Sequence, residues 1–486
     1  MTLWASLRRS TALLPLALGA SACAVGPNYR APQTPTDAGA PFVSATPKVA
    51  TADQPPADWW RLYDDPTLDG LVQEALTENQ DLKVAAANLL KASGVLAQAR
   101  AGLFPTTDLS VGDQWGKSST AQLFASMTGT KAEPAWLGSG ALNVSYEVDI
   151  FGRIRRSIEA ARADAAATAE AENVVRITVA AETARAYADA CAFAEQADTA
   201  KRSADLAQQV LDLTARMRDL GAKSDFDVAS AAAVYDQANA EIPTFEGEQR
   251  AQLFELAVLT GRPPAEISQA AAACKTPPTI KTPLPVGDGA ALLKRRPDVR
   301  EAERTLAGDT ARIGVATADF YPTVSLTGNL GSSGSSLKQI ASASSFTYQL
   351  GPLITWTFPN VLVARAEVIQ ARAQASADIA SFNSVVLNAL KETEQSLTTY
   401  DAELSRHQAL VANVADNQRA FDLAEVQLQR GSISFPDLLQ TERNLEAARA
   451  DLAASDQALI DDQVAVFQSL GGGWEDAPTV VPPRAP

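Results

Sequence analysis

The chain has 486 residues, and 41 Lys and Arg against 57 Asp and Glu leave a net charge of −16, which argues against a phosphate-backbone partner and so against nucleic acid. Hydrophobic residues make up 46% but aromatic ones only 6%, so an extensive core has to be built from Ala and Leu, the composition of long packed helices. One histidine, His407, and three cysteines exclude a His-rich metal site, most Ser-His chemistry and a dense disulfide framework.

At the N-terminus, Arg8 and Arg9 precede an apolar run from Ala12 to Leu18 and then small residues up to Cys23, the layout of a secretory signal peptide over residues 1–22. No later stretch offers about 18 uninterrupted apolar residues, so any membrane crossing has to use strands. Ala20-Ser21-Ala22 fits ordinary signal cleavage and also a lipoprotein box ending in Cys23, with Ala20 where such a box usually has Leu. Two readings are therefore open, simple cleavage or acylation of Cys23 with covalent diacylglycerol and palmitate, whose chains would hold the mature N-terminus at the membrane. Residues 23–57, rich in Pro, Thr, Ala and Gly without periodicity, read as an extended lipid-anchored tether.

The rest of the chain is written twice, as residues 58–276 and 277–474, before a tail over 475–486. Asn79-Gln80-Asp81-Leu82 and Leu103-Phe104-Pro105-Thr106 return as Arg296-Pro297-Asp298-Val299 and Phe320-Tyr321-Pro322-Thr323, offset by 217. Tyr146, Arg155, Arg162, Glu182 and Leu220-Gly221 return as Trp356, Arg365, Arg372, Glu392 and Arg430-Gly431, offset by 210. The shift changes once, by seven residues between Pro105 and Tyr146, which places a loop there.

Each copy reads helix, strand, loop, strand, long helix, tight turn, return helix. Residues 153–220 and 360–430 contain neither Gly nor Pro, so each predicts one helix of about 100 Å at about 1.5 Å per residue. Heptad spacing of Leu206, Val210, Leu213, Met217 and Leu220, and of Leu438, Leu445, Leu452, Leu459 and Val466, predicts coiled pairing of outgoing and returning helices. Cys191 lies in an Ala-rich helical pattern where a buried free thiol is the commoner state, and a bridge to Cys274 is left open.

Between the helices the period changes. Leu142, Val144, Tyr146, Val148 and Ile150 alternate with Asn143, Ser145, Glu147 and Asp149, a strand with one apolar side, and Val324, Leu326 and residues 350–358 are weaker versions. Trp115, Trp136, Tyr146, Tyr321, Tyr348 and Trp356 lie in or beside these segments, as membrane-interface aromatics do. Four strands cannot close a barrel, and an open edge is not tolerated in lipid, so three chains supplying twelve strands give the simplest closed solution. A soluble sheet capping a helical bundle is the competing reading.

Cys23-Ala24-Val25-Gly26-Pro27-Asn28-Tyr29, Trp59-Trp60, Asp65-Pro66, Leu71-Val72-Gln73-Glu74-Ala75-Leu76, Asp149-Ile150-Phe151-Gly152-Arg153 and Leu470-Gly471-Gly472-Gly473-Trp474 follow in this order. Together they resemble the TolC-like outer-membrane factors, in particular their lipidated, RND-type multidrug efflux branch. The resemblance implies a mainly α fold with a β-barrel: a homotrimer whose 12-stranded outer-membrane β-barrel is continuous with a long periplasmic α-helical barrel. It implies a passive exit duct working with a periplasmic adaptor (membrane fusion protein) and an inner-membrane pump in a Gram-negative cell. Carried onto this chain, Gly221, Ala222, Ser224, Gly431, Ser432 and Ser434 would form the adaptor-docking tips, and Asp227 and Asp437 an acidic ring at the periplasmic entrance. Both aspartates also sit where a first-turn carboxylate favours the helix dipole, and that reading is equally open. The chain departs from its relatives at Pro359-Asn360-Val361-Leu362, where a glycine-rich basic turn is common, and at Ile433, where some carry a basic gating residue. Type I protein secretion and a lipid-anchored periplasmic coiled-coil scaffold are the alternatives.

No chemistry of an enzyme is assembled. Gly328, Gly331 and Gly334 lack the Lys-Ser or Lys-Thr of a phosphate loop and read as external loop. Glu392 and Glu394 point to different helix faces, Glu182 and Glu392 read as solvated or interhelical partners, and His407 reads as a surface histidine.

Overall fold

In the computed structural model residues 24–34, 36–358 and 361–483 are described; Cys23 and the Pro359-Asn360 junction lie outside them. A short strand β1 (Ala50–Thr51) precedes helices α1 (Pro66–Glu78) and α2 (Gln80–Ala101). The first copy continues with β2 (Thr106–Gly116), α3 (Ser119–Thr128), β3 (Ala135–Val148), α4 (Arg153–Asp219) and α5 (Asp225–Leu259). After α6 (Gln269–Ala272), β4 (Leu284–Pro285) and α7 (Gly289–Arg295) comes the second copy: α8 (Pro297–Ala318), β5 (Thr323–Gly334), α9 (Leu337–Ile340), β6 (Phe346–Thr355), α10 (Val361–Gln429) and α11 (Phe435–Ser469).

Helices α2 and α8 are 22 residues each and α5 and α11 are 35 each, while α4 and α10 run to 67 and 69. The change of offset falls in the strand-connecting loops, residues 117–134 in the first copy and 335–345 in the second. Equivalence extends to contacts. Asn79 Nδ2 donates to the Leu259 carbonyl at 3.1 Å, and Arg296 Nη1 donates to the Ser469 carbonyl at 2.8 Å, each tying the foot of one helix to the end of another. Two residues past those carbonyls, Gly261 and Gly471 adopt φ +74° and +70°, and a Cβ there would lie 2.5 Å from the Glu78 carbonyl oxygen or 2.9 Å from Arg296 Cγ. Only glycine fits either place.

Space divides the chain differently from the repeat. Among the described residues, one compact unit combines 24–32, 90–167 and 303–381; the other combines 33–89, 168–302 and 382–483. The first holds a four-stranded sheet, and the second holds a large core around Trp59, Leu68, Leu76, Leu82, Leu256, Leu397, Ile460 and Phe467. Trp59 stacks on Phe467 at 4.9 Å between centroids, and a Cβ on Gly472 would come within 3.0 Å of its indole, which accounts for the glycines before Trp474. Asp65 caps α1 by accepting from the Thr67 and Leu68 amides at 2.7 and 3.1 Å, and the Tyr187 hydroxyl donates to its other oxygen at 2.9 Å.

Five expectations are corrected. The segment read as a tether is packed down, its first residues through Pro32 within the first unit and those from Gln33 within the second. Val49 and Phe42 are buried, β1 pairs in parallel with β4, and the Val43 and Ser44 amides donate to Glu394 at 2.8 and 2.9 Å. Its low hydrophobicity concealed this because backbone groups make most of the bonds. Cys191 is bonded to Cys274, with Cα atoms 5.1 Å apart, because the chain after α5 folds back onto α4 across 83 residues, a contact no local pattern signals. Gly328, Gly331 and Gly334 belong to strand β5, not to a loop. A Cβ on Gly334 would come within 2.7 Å of Gln339 Cβ, and one on Gly138 within 2.7 Å of Ile340 Cδ1, so glycine lets α9 fold over the strands. Of the expected heptad toward the end of α4, Val210 is buried and Leu206 packs beside it, whereas Leu213 and Leu220 are exposed, and the other buried positions there include the small residues Ala200, Ser203, Ala207 and Thr214. His407 is half-buried and paired with Asp456 at 2.7 Å.

Candidate functional site: a two-faced sheet and two helical tips

The sheet order is β2-β3-β5-β6, every pair antiparallel, leaving β2 and β6 as edges. Residues directly opposite share a face, so the register sorts the side chains. One face carries Leu109, Val111 and Trp115 on β2, Trp136, Leu142, Val144, Tyr146 and Val148 on β3, Val324, Leu326 and Leu330 on β5, and Phe346, Tyr348, Leu350 and Ile354 on β6. Most of these large apolar side chains are exposed. On the opposite face Asp108, Asn143, Asn329 and Gln349 stand in one row. Asn329 Nδ2 donates to Asn143 Oδ1 at 2.6 Å, and Asn143 Nδ2 to Asp108 Oδ1 at 3.5 Å. A face of this size and apolarity is unstable in water and matched to hydrocarbon.

Trp115 and Trp136 pair across strands at the loop end, 5.5 Å between centroids. Tyr146, Tyr321 and Trp356 lie at the helix end, Tyr321 stacked on Phe151 at 4.4 Å. Trp136 and Tyr146 are separated along β3 by about 33 Å at about 3.3 Å per residue, or about 25 Å in height at a tilt of about 40°, the thickness of an outer-membrane apolar band. Tyr348 is at neither end; it is level with Leu109, Leu142 and Leu330.

At the helix end the N-terminal segment docks on the strand-to-helix junction. Asp149 accepts the Ile154 and Arg155 amides at 3.1 and 3.0 Å, starting α4, and Gly152 turns at φ +83°. A Cβ on Gly152 would lie 2.7 Å from Ala24 Cα. The Val25 amide donates to the Phe151 carbonyl at 3.1 Å, and the buried Arg156 donates to the Val25 and Gly26 carbonyls and to Asn28 Oδ1. The residue after Cys23 is thereby fixed at the foot of the sheet. The motifs around Cys23 and Asp149 were both visible in the sequence; their mutual contact was not.

In the second unit each long helix ends in the same turn. Gly221 and Gly431 take φ +78° and +71°. Ala222 N donates to the Met217 carbonyl and Ser432 N to the Gln427 carbonyl, at 2.8 and 2.9 Å, which satisfies the last carbonyls of α4 and α10. Ser224 and Ser434 start the return helices, each amide donating to Oδ2 of Asp227 or Asp437 at 2.9 Å. Hydrogen bonds from the serine amide and hydroxyl hold both carboxyls below the usual aspartate range. Each of these aspartates is therefore a helix cap in this chain. The two turns meet, with Lys223 Nζ 4.6 Å from the centre of the buried Phe435 ring, and Ile433 packs on the cluster of Val210, Phe421, Phe435 and Leu438. Leu220 and Phe226, 84% and 78% exposed, are apolar residues at the first tip; Phe226, next to the cap, was missed because nothing in its spacing marks it.

An exposed apolar sheet face backed by a hydrogen-bonding one is a segment of a transmembrane β-barrel, and the chain that carries it is a subunit of an outer-membrane channel. Residues 71–262 and 290–472, one stretch in each repeat and together more than half of the chain, match the family described as outer membrane efflux protein, and the chain belongs to that family. It is 29% identical to the antibiotic efflux pump outer membrane protein ArpC of Pseudomonas putida, covering 93% of each chain. With nodulation protein T of Rhizobium leguminosarum bv. viciae it shares 28% identity over 99% of this chain and 96% of the relative. Among solved structures, the outer-membrane channel OprN superposes with TM-score 0.85 at 32% identity, covering 93% of this chain and all of that one. The chain is an outer-membrane efflux channel, mainly helical, with a β-barrel part that one copy does not close. Among the described residues no helix is long and apolar enough to cross a membrane.

Proposed function

We propose that three copies of this chain close a twelve-stranded barrel and act as the passive exit duct of a tripartite efflux system, taking small molecules from an inner-membrane pump through a periplasmic adaptor. The observation that carries this reading is a lipid-matched sheet with two open edges, β2 and β6. In hydrocarbon those edges must pair with neighbours, since unsatisfied backbone groups there cost several kcal/mol each, about the size given for apolar media. Two chains would give eight strands, an interior that side chains fill; twelve leave room for water. The row from Asp108 to Gln349 then faces that water. The tips at Gly221, Ala222, Ser224, Gly431, Ser432 and Ser434, with exposed Leu220 and Phe226 beside them, are the docking surface for the adaptor. Asp227 and Asp437 cap helices and also place negative charge near the entrance. Cys23 carries diacylglycerol and palmitate: the segment after it is pinned against Phe151 and Gly152, Phe151 being stacked on Tyr321, where acyl chains enter the inner leaflet directly.

Native mass spectrometry of the detergent-extracted protein with conductance in planar bilayers tests the assembly. A three-chain mass and discrete pores are expected; a monomer soluble without detergent and lacking any pore overturns it. The mass of the mature N-terminal peptide tests the anchor, an unmodified Cys23 ending that part.

A further inference from the structure

Within the second unit, α4, α5 and α11 line an open-sided cavity of about 380 Å³ that neither the sheet nor the tips use. Its walls are apolar, formed chiefly by Ala200, Ala207, Val234 and Phe245. Into it faces Glu442, only 1% exposed, whose Oε2 has no hydrogen-bond partner. The other acids at the cavity are Glu446, which accepts from Arg449 at 3.1 Å, and Glu241 on α5; α4 contributes only neutral polar groups, Gln196, Thr199 and Ser203. Arg443, also at the cavity, is an exposed residue.

A carboxylate buried without a partner is costly, and only a proton or a cation relieves it. A metal ion does not fit the walls, because calcium or magnesium requires about six oxygen ligands and the cavity offers the buried carboxylate of Glu442, with Glu241 exposed on α5, against mainly apolar walls. An organic cation fits both halves of the site. We propose that this cavity binds an amphiphilic organic monocation, its charged nitrogen on the Glu442 carboxylate and its apolar body against Val234 and Phe245. The volume falls in the range of small-molecule sites, about 300–1,000 Å³. Burial, and then the neighbouring Glu446 charge, push the Glu442 carboxyl up to about 7, against a smaller opposing pull from Arg443. Cation binding therefore expels a proton, and affinity rises with pH through neutrality. This site is independent of the channel reading, because its occupancy is measured without transport.

The test uses the full-length protein in detergent with the fluorescent cation 4-(4-dimethylaminostyryl)-1-methylpyridinium and its neutral analogue 4-dimethylaminostilbene, each corrected against empty micelles. One saturable site per chain is expected for the cation, with about tenfold tighter binding near pH 8 than near pH 5.5. Glu442→Gln is expected to weaken the cation by about tenfold while leaving the neutral compound unchanged. Ala447→Trp keeps the carboxyl but fills the cavity, and is expected to abolish saturable binding of both. Cation affinity unchanged in both variants, or equal loss of cation and neutral compound in Glu442→Gln, overturns the proposal.

Discussion

At Gly26 the backbone turns at φ +89°, and a Cβ would lie 2.4 Å from Gly314 Cα, a backbone atom that cannot step aside. Gly26→Ala is expected to cost about 1–3 kcal/mol, the usual range for overpacking, and to release the docked segment. Limited proteolysis across residues 24–34 reads this directly; unchanged protection would refute the lock. The caps behave differently because they depend on charge. Asp227 and Asp437 are held below their ordinary value by the serine bonds, so their stabilisation is present above the unfolded aspartate pKa, near about 3.9, and is lost as pH falls through the folded one. Protection of the amides at residues 221–228 and 431–438, relative to their intrinsic exchange rates, is expected to fall only at acid pH, and in Asp437→Asn to fall at 431–438 already at neutral pH while 221–228 keep theirs. The first-turn place of each aspartate was legible in the sequence, and its reciprocal bond with Ser224 or Ser434 was seen only in the structure. The Gly26–Gly314 contact was not legible, since sequence gives the glycine but not the partner 288 residues away.

Among the elements, the sheet makes the sharpest division. Leu330 faces outward in the central row of the apolar face and Asn329 beside it faces the other way. Leu330→Arg is expected to cost about 2–4 kcal/mol of membrane stability, the range for a cation at mid-bilayer, and to abolish heat-modifiable oligomers on gels. Asn329→Ser is expected to leave them intact; equal damage from both would show that the faces are wrongly assigned. Helix extent was legible because a helix continues where no Gly or Pro stops it, and α4 and α10 end beside Gly221 and Gly431. The start of β3 and the second half of β5 were not, because Gly138, Gly140, Gly328, Gly331 and Gly334 break the apolar alternation that marks a strand. Cross-strand pairing, a non-local property, restores it. On α4 the heptad held only at Leu206 and Val210, since the other buried positions there include Ala200, Ser203, Ala207 and Thr214, small residues that a leucine repeat does not mark.

On the scale of the whole chain, pH acts through buried acids. Asp461 and Asp462 are pushed up to about 6 and Glu442 to about 7, in each case mainly by burial. Such groups bind protons more tightly when folded, so their contribution is complete below about pH 4 and is lost as pH rises through the folded values. Melting is therefore expected at higher temperature near pH 5.5 than near pH 8, a difference that Glu442→Gln reduces; a rising trend instead would refute it. Reduction of Cys191–Cys274, which closes a loop of 83 residues, is expected to lower stability by about 2–5 kcal/mol and shift the melting curve. The two connecting loops differ in kind as well as length: one carries α3 with exposed Leu123, Phe124 and Met127, the other the single turn of α9 and a 3-10 turn at Ala343–Ser345. The two turns that end α4 and α10 differ as well, with Phe226 exposed in one and Phe435 buried in the other. A surface that seats on these turns therefore meets two unlike halves within a single chain, one offering an aromatic ring and the other withholding it.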